Sequence, residues 1–443
     1  MRGAAALFHR ELQVAETPLE RAVVYFNNAG RTPLLRASVI AGHAAVESKA
    51  RPWRLVDQHE ATSRVRELFA TIIDAPSGGR DVAICPSTSC SLSVVARHFG
   101  RDGRGLICRG SHVVVLDGQM ASNVMPWQAA CESVGATLTV VARPANYDWG
   151  AALIAAFASI AAAGERVGVL ALPQCHWCDG SVVDISAAAA DLRARWGSER
   201  TALVLDITQS AGIAATSVAA LRPDFVCASA HKCLLGPYGF SLLYADPKHT
   251  DAALANGAAL ASASDQHERS RFGSEDPAWD EVGAMTRERG YPTRFFRGAR
   301  RLDAGGRPNP VGIPMLVAAL EQVAAWHGPH GPTVAGGSAV ARSVAPLIDR
   351  IATHAASLGY DVPPRARRAA NFVGIRLSRA SAHLPPPTEL KRILRERGNV
   401  RVCVRVGALR VSLYVYNTHA EVDLFNRLLS DAVASAAPRG ARL

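Results

Sequence analysis

The stretch "SAHKCLLGPYG" (Ser229–Gly239) sets Lys232 between a histidine and an apolar run that closes on glycines. A solvated charge does not need such a setting, and a buried amine is costly unless it has a partner or a task. The residues just before it, "DFVCASA" (224–230), form an apolar run of strand length, and the same pattern recurs upstream and down. "DVAICP" (81–86), "HVVVLDG" (112–118), "TLTVVAR" (137–143), "RVGVLALP" (166–173), "TALVLDI" (201–207) and "GFSLLYA" (239–245) read as buried strands. Alanine-rich stretches of helix length, "AALIAAFASIAAAGE" (151–165) and "ISAAAADLRARWGS" (185–198), lie between them. Strand and helix in alternation predict an α/β protein: a three-layer, mostly parallel sheet covered on both faces.

That sheet is expected in a large domain over residues 60–310, preceded by an N-terminal segment, 1–59. After "GARRLDAGGRPNP" (298–310) come a helix-like run (314–328), further strand-like runs and a closing helix (421–437). Residues 311–443 are therefore expected to form a smaller α+β C-terminal domain. A chain of 443 residues with 49% hydrophobic content exceeds the usual size of one compact domain.

Composition narrows the function classes. The first twenty residues carry only a short apolar run followed by acids, which fits neither a signal nor a transit peptide. No run approaches the roughly 20 apolar residues of a membrane span, so a cytoplasmic protein with no membrane partner is expected. The nine cysteines are scattered through apolar runs, as small core residues are. Cys175 and Cys178 have CxxC spacing, but no second cluster completes a zinc site, and no metal is expected. The net charge of +11 raises the question of nucleic acid. Its arginines are spread out, with local clusters at Arg294, Arg297, Arg300 and Arg301 and at Arg365, Arg367 and Arg368, and none interleaves with aromatics. The expectation is no nucleic acid.

Chemistry enters with Asp206, which ends one strand-like run and is followed by "TQSAGI". Two parallel strands would deliver Asp206 and Lys232 to one carboxyl edge, where ligands of open α/β sheets bind. An ion pair is one reading. The other is pyridoxal phosphate chemistry, which needs an amine to form a Schiff base and a carboxylate to keep the pyridine nitrogen protonated. The ordered set Asp-x-x-Gln-Ser, Ser-x-His-Lys and Gly-Pro-x-Gly resembles the class V aminotransferase family of fold-type I pyridoxal phosphate enzymes, which includes cysteine desulfurases and kynureninases. The resemblance implies pyridoxal 5'-phosphate as cofactor, Lys232 as the Schiff-base lysine and Asp206 as the pyridinium partner. It also implies Gln209 at the phenolic oxygen, with Ser229 and His231 at the phosphate.

Other segments extend the likeness. In "ICPSTSCSLSVVARHFG" (84–100) a hydroxyl-rich turn opens a helix, so Thr88 and Ser89 can serve an anion there or simply cap the helix. Asn123, Pro126 and Trp127 stand in the family's order, but Met120 and Ala121 occupy the positions where many members carry a ring that stacks on the cofactor. In "LPQCHWCDGSVVDI" (172–185), His176, Trp177 and Asp179 take the edge that faces cofactor and substrate, His176 as a catalytic candidate and the other two as substrate-binding ones. Arg410 in "ALRVSLYVYN" (408–417) matches the arginine that grips the substrate α-carboxylate. The glycine-broken stretch 294–309 resembles the segment that reaches a neighbouring subunit's phosphate, which implies a homodimer and a role for Arg307.

The resemblance implies an enzyme acting on a small α-amino acid. Transamination and β-elimination from an S-substituted cysteine stand level, and epimerisation is a further alternative. Cysteine desulfurase activity is disfavoured, because Cys403 in "NVRVCVRVG" (399–407) reads as part of a strand and not as a mobile loop. The basic charge also motivates a non-catalytic or nucleic-acid-associated protein that keeps the fold. The intact set of Asp206, Gln209, Lys232 and Arg410 stands against it.

Overall fold

The apolar runs of the first half of the chain have no polar face, which suits strands buried on both sides. The computed structural model describes residues 7–8, 22–56, 58–100, 105–250, 298–305, 307–327 and 338–436. Arg294, Arg297 and Gly306 lie outside the described residues.

Seven strands form the main sheet: β2 (Val82–Cys85), β3 (Ser111–Leu116), β4 (Thr137–Val141), β5 (Arg166–Pro173), β6 (Ala202–Asp206), β7 (Phe225–Ser229) and β8 (Ser241–Ala245). Their order is β2-β8-β7-β6-β5-β3-β4, and β8 alone runs against its neighbours. Neighbouring residues of the central strands enter opposite cores. Val114, Leu116, Leu170, Leu172, Leu203 and Leu205 join one cluster. Val113, Val115, Val169, Ala171, Ala202 and Val204 join the other. Helices α1 (Arg36–Ala50), α2 (His59–Ile72), α5 (Trp149–Ala162) and α6 (Ile185–Trp196) cover the first face, and α3 (Thr88–Gly100) and α4 (Met125–Val134) the second. The result is the three-layer α/β arrangement, with the carboxyl ends of the parallel strands on one edge.

Local chemistry sets the boundaries of these helices. Asp148 and Asp184 cap α5 and α6 by accepting from Ala151 N and Ala187 N. Gly135 ends α4 in the left-handed region at φ 70°, which only glycine adopts at no steric cost.

A second unit holds the antiparallel sheet β11-β12-β9, made of β9 (Phe372–Ile375), β11 (Cys403–Arg405) and β12 (Ala408–Ser412). It packs under helices 339–357, 387–398 and 419–436. Strand β1 (Val24–Tyr25) belongs with this unit: it pairs in parallel with β10 (Val400–Arg401), and Val24 and Phe26 lie in the same core. Val406 and Gly407, at φ 43° and 72°, join β11 to β12 as a two-residue turn. Turn length fixes register, so Cys403 stands opposite Arg410 and Arg405 opposite Ala408.

The two units meet where the loop after β5 packs on β9. A Cβ on Gly374 would lie 2.6 Å from Asp179 Cα and 2.9 Å from Cys178 O, so backbone has to move to admit it. Gly374→Ala is expected to cost about 1–3 kcal/mol, the usual penalty of overpacking, and to lower the midpoint of thermal unfolding. An unchanged midpoint would show that this junction yields freely.

Among the described residues no helix is long and apolar enough to cross a membrane. Nor do three metal-ligating side chains converge among them.

Candidate active site

The strands of an open parallel sheet end together, so the residues that follow them share one edge. Asp206 is the last residue of β6, and the segment from Ala230 to Phe240 links β7 to β8. That link is tied at its base by Ala230 N donating to Phe240 O and Gly236 N donating to Ala230 O. Leu235, at φ 59°, and Gly239, at φ 90°, turn it sharply. Lys232 projects from this loop.

Asp206 is buried and Lys232 half-buried, and they form no salt bridge with each other, yet each feels the other's charge. Burial pulls the Lys232 ammonium below the ordinary lysine range, Asp206 opposes that, and Arg410 and Arg405 reinforce it. Burial likewise pushes the Asp206 carboxyl up, against its hydrogen bonds from Thr208 and the charge of Lys232. Thr208 N donates to Asp206 Oδ1 at 3.0 Å, and Ser229 N donates to Thr208 Oγ1 at 3.0 Å, so the two strand ends are stitched together. A carboxylate held against such a desolvation penalty favours a protonated partner beside it.

On the other side of β7, hydroxyls gather at the first turn of α3. Thr88 Oγ1 lies 2.8 Å from Ser229 Oγ and 3.4 Å from Ser241 Oγ, and Ser91 Oγ donates to Ser241 Oγ at 3.1 Å. Ser89 is exposed and donates to Ser122 Oγ at 3.0 Å. Hydroxyls and the amide ends of a thirteen-residue helix form a site for an anion. The His231 ring stacks on Tyr238 with centroids 4.2 Å apart, and burial together with the Lys232 charge brings its pKa to about 4.

Gln209 is buried; its Nε2 donates to Ala29 O at 3.1 Å, and its Oε1 has no partner. His176 stacks flat on Trp149 at 5.5 Å and 10°, with Nε2 2.9 Å from Asp117 O and Nδ1 buried without a partner. Burial lowers its pKa, Asp179 opposing. Trp177 Nε1 donates to Gly118 O at 2.8 Å. The Asp179 carboxylate is taken up internally: Arg143 at 2.7 Å, Arg376 at 3.4 Å, and Ser181 N and Oγ at 2.8 and 2.7 Å. It holds the loop after β5 in place, with both of its oxygens engaged by these partners.

Arg410 is only 1% exposed, and among the described residues no carboxylate lies within ion-pair distance. Its Nη1 donates to Trp177 O at 2.8 Å, its guanidinium carbon lies 5.9 Å from the centre of the Trp177 ring, and its Nε is buried without a partner. A buried, uncompensated guanidinium with a free N–H is a receptor for an anion. Arg307 lies on an exposed stretch beyond the 3₁₀ turn Gly298–Leu302.

The structure thus brings Lys232, Asp206, Gln209, Ser229, Thr88, His231, Trp177 and Arg410 to one edge, and places Ser89 at its rim. Sequence reasoning missed Ser91 and Ser241 in the hydroxyl cluster and the Arg143–Asp179–Arg376 clamp. It also missed Tyr238 over His231, and Cys403 and Arg405 beside Arg410. The turn residues Val406 and Gly407 were the one signal that could have fixed the last pairing.

An edge of this kind defines the fold-type I, pyridoxal phosphate-binding class of protein. The donor set fits that cofactor: an amine without an ion-pair partner, a buried carboxyl, a glutamine with an unmatched oxygen and a hydroxyl-lined helix end. The aminotransferase class-V family model matches residues 25–275, and the chain belongs to that family, whose cofactor is pyridoxal phosphate.

Among curated relatives, a cysteine desulfurase of Dickeya dadantii is 27% identical over 267 residues, 60% of this chain and 56% of the relative. A probable cysteine desulfurase of Mycolicibacterium paratuberculosis is 26% identical over 383 residues, 83% of this chain and 48% of the relative. The chain spans about half the length of the curated relatives it matches. Of solved structures, the apo cysteine desulfurase of Thermococcus onnurineus NA1 superposes with a TM-score of 0.69 at 19% identity, covering 93% of this chain and 95% of that one. The cystine C–S lyase C-DES, in complex with its reaction product cysteine persulfide, gives 0.69 at 17%, covering 91% and 97%. At these identities the likeness establishes the fold.

Proposed function

We propose that the protein is a pyridoxal phosphate enzyme acting on an α-amino acid, with elimination at Cβ of an S-substituted cysteine as its reaction. The observation that carries the amino-acid reading is Arg410, a buried guanidinium with no acid of its own, on the same edge as Lys232. When bound, pyridoxal phosphate supplies an electrophilic carbonyl and an electron sink for the bond broken at Cα. Lys232 would anchor the cofactor, then take the Cα proton and pass it to the sulfur that leaves Cβ, a task suited to an amine whose basicity burial has lowered. Asp206 would keep a proton on the cofactor's ring nitrogen. Thr88, Ser229 and His231 would hold its phosphate, and the second amide hydrogen of Gln209 Nε2 would serve its phenolic oxygen. Arg410 orients the substrate by its carboxylate, with Trp177 and the clamped loop of Asp179 forming the wall.

The relatives named cysteine desulfurases and the C–S lyase neighbour support chemistry at a carbon–sulfur bond. The thiols here speak for elimination over transfer of sulfur to an enzyme cysteine. Cys403 is buried in a register-locked strand. Burial pushes both Cys178 and Cys233 up to about 12, which leaves them poor nucleophiles at neutral pH. Transamination remains the second reading on the family match alone. A homodimer, with Arg307 reaching the neighbouring subunit's phosphate, belongs to the same proposal.

The test is spectral and chemical. Adding pyridoxal phosphate should give a near-visible absorbance band that borohydride removes, and S-substituted cysteines should release thiol, ammonia and keto acid in equal amounts. Keto acid without thiol or ammonia would move the assignment to transamination. No band at all would end the cofactor reading.

A further inference from the structure

The hairpin that carries Arg410 brings a second cation to the same face. Side chains two apart on a strand share a face, and directly paired residues share it too. Cys403 pairs with Arg410 and Arg405 pairs with Ala408, so Cys403, Arg405, Ala408 and Arg410 all point the same way. Gly374 pairs with Arg410 from the other side, which places Arg376 on that face as well. Three arginines thus look from one small sheet toward the loop of Asp179 and the edge that holds Lys232.

Their partners differ. Arg376 reaches Asp179 at 3.4 Å and also donates to Val406 O. Arg405 is half-buried, donates only to the carbonyl of its own neighbour, Val404, at 3.0 Å, and has no acid within ion-pair distance. Arg410, buried, has none either. Diagonal neighbours on adjacent strands lie about 7–8 Å apart at the backbone, within reach of long side chains. Arg405 lies close enough for its charge to bear on both Arg410 and Lys232. Two guanidiniums that lack acids and share one face form a receptor for two anionic groups separated by a short spacer.

We infer that the substrate is an α-amino acid whose side chain ends in a second anionic group, with Arg410 holding the α-carboxylate and Arg405 the side-chain anion. This rests on the amino-acid reading above and narrows it: among S-substituted cysteines, those bearing an acid on the sulfur substituent are favoured over neutral ones. The bidentate fork of arginine suits a carboxylate or sulfonate at either end. Arg405 is therefore a specificity residue, and its loss should weaken substrates with a side-chain anion more than neutral ones.

The experiment compares two non-reacting probes, glutarate and butyrate, by calorimetry on the cofactor-loaded protein. Glutarate is expected to bind at least tenfold more tightly than butyrate. Arg405→Gln should bring glutarate down toward the butyrate level and weaken butyrate far less, while Arg405→Lys should keep part of the advantage. Arg410→Leu should weaken both probes. Equal binding of the two by the native protein, or a glutarate advantage that survives Arg405→Gln with thermal unfolding unchanged, overturns the inference. Butyrate binding that still depends on Arg410 would in either case leave the amino-acid reading standing. Butyrate binding indifferent to Arg410 would count against that reading itself.

Discussion

Replacing Lys232 with alanine is expected to lower turnover by about 10³-fold or more, because one amine supplies both the covalent anchor and the proton transfer. The borohydride-sensitive band should vanish with it. The fold should persist, and the cofactor-free variant should melt no lower than the parent. The sign follows from linkage. Burial lowers the Lys232 pKa in the folded state, so between that value and the unfolded 10.5 the folded protein must release a proton that the unfolded chain keeps. That costs stability as pH falls through the window, and alanine removes the cost. The same depressed basicity sets a pH dependence for the native protein: the band should build up with a midpoint below 10.5. A midpoint at the ordinary lysine value, or near-parental turnover by Lys232→Ala, would show that another amine does the work.

The second large effect is expected at Arg410. Leucine matches its buried stem and lacks its charge, so the substrate carboxylate would enter without a counterion. Truncating one side of a buried charge pair costs about 2–5 kcal/mol, and the KM for the amino acid should rise by about 10²-fold. The cofactor band should not change, since the arginine sits on the small sheet and the cofactor's donors sit on the large one. Unfolding should move little or upward, because the guanidinium is desolvated without an acid to offset it. A parental KM would mean that the carboxylate binds elsewhere, and steady-state kinetics with any accepted amino acid decides between the two.

The layer structure was readable because the central strands bury both faces, which leaves continuous runs such as "RVGVLALP" and ends them sharply at polar residues. The positions of Asp206 and Lys232 followed from those endings. Direction was not readable: "GFSLLYA" looks like its parallel neighbours, and only the tight link from Ala230 to Phe240 makes it antiparallel. Asp179 shows another limit. A carboxylate after a strand suggests a substrate contact, but its partners Arg143 and Arg376 come from distant parts of the chain, and no local pattern announces an ion pair. Arg405 was hidden for a different reason. It lies inside an alternating run, where facing is decided by register, and register here depends on a turn with a valine in the left-handed region, a conformation that β-branched residues rarely adopt.

Strand β1 precedes the whole seven-stranded sheet in the chain, and its hydrogen-bonding partner, β10, follows it. The seven-stranded sheet is fully synthesised well before Val400 appears, so it can assemble while residues 24–26 still wait for their place. Until Val400 has been made the early strand has no ladder to join, and its apolar side chains, Val24 and Phe26, have no core to enter. The unit that carries Arg410 therefore closes after the sheet that carries Asp206, and the two halves of the edge are completed at different moments of synthesis.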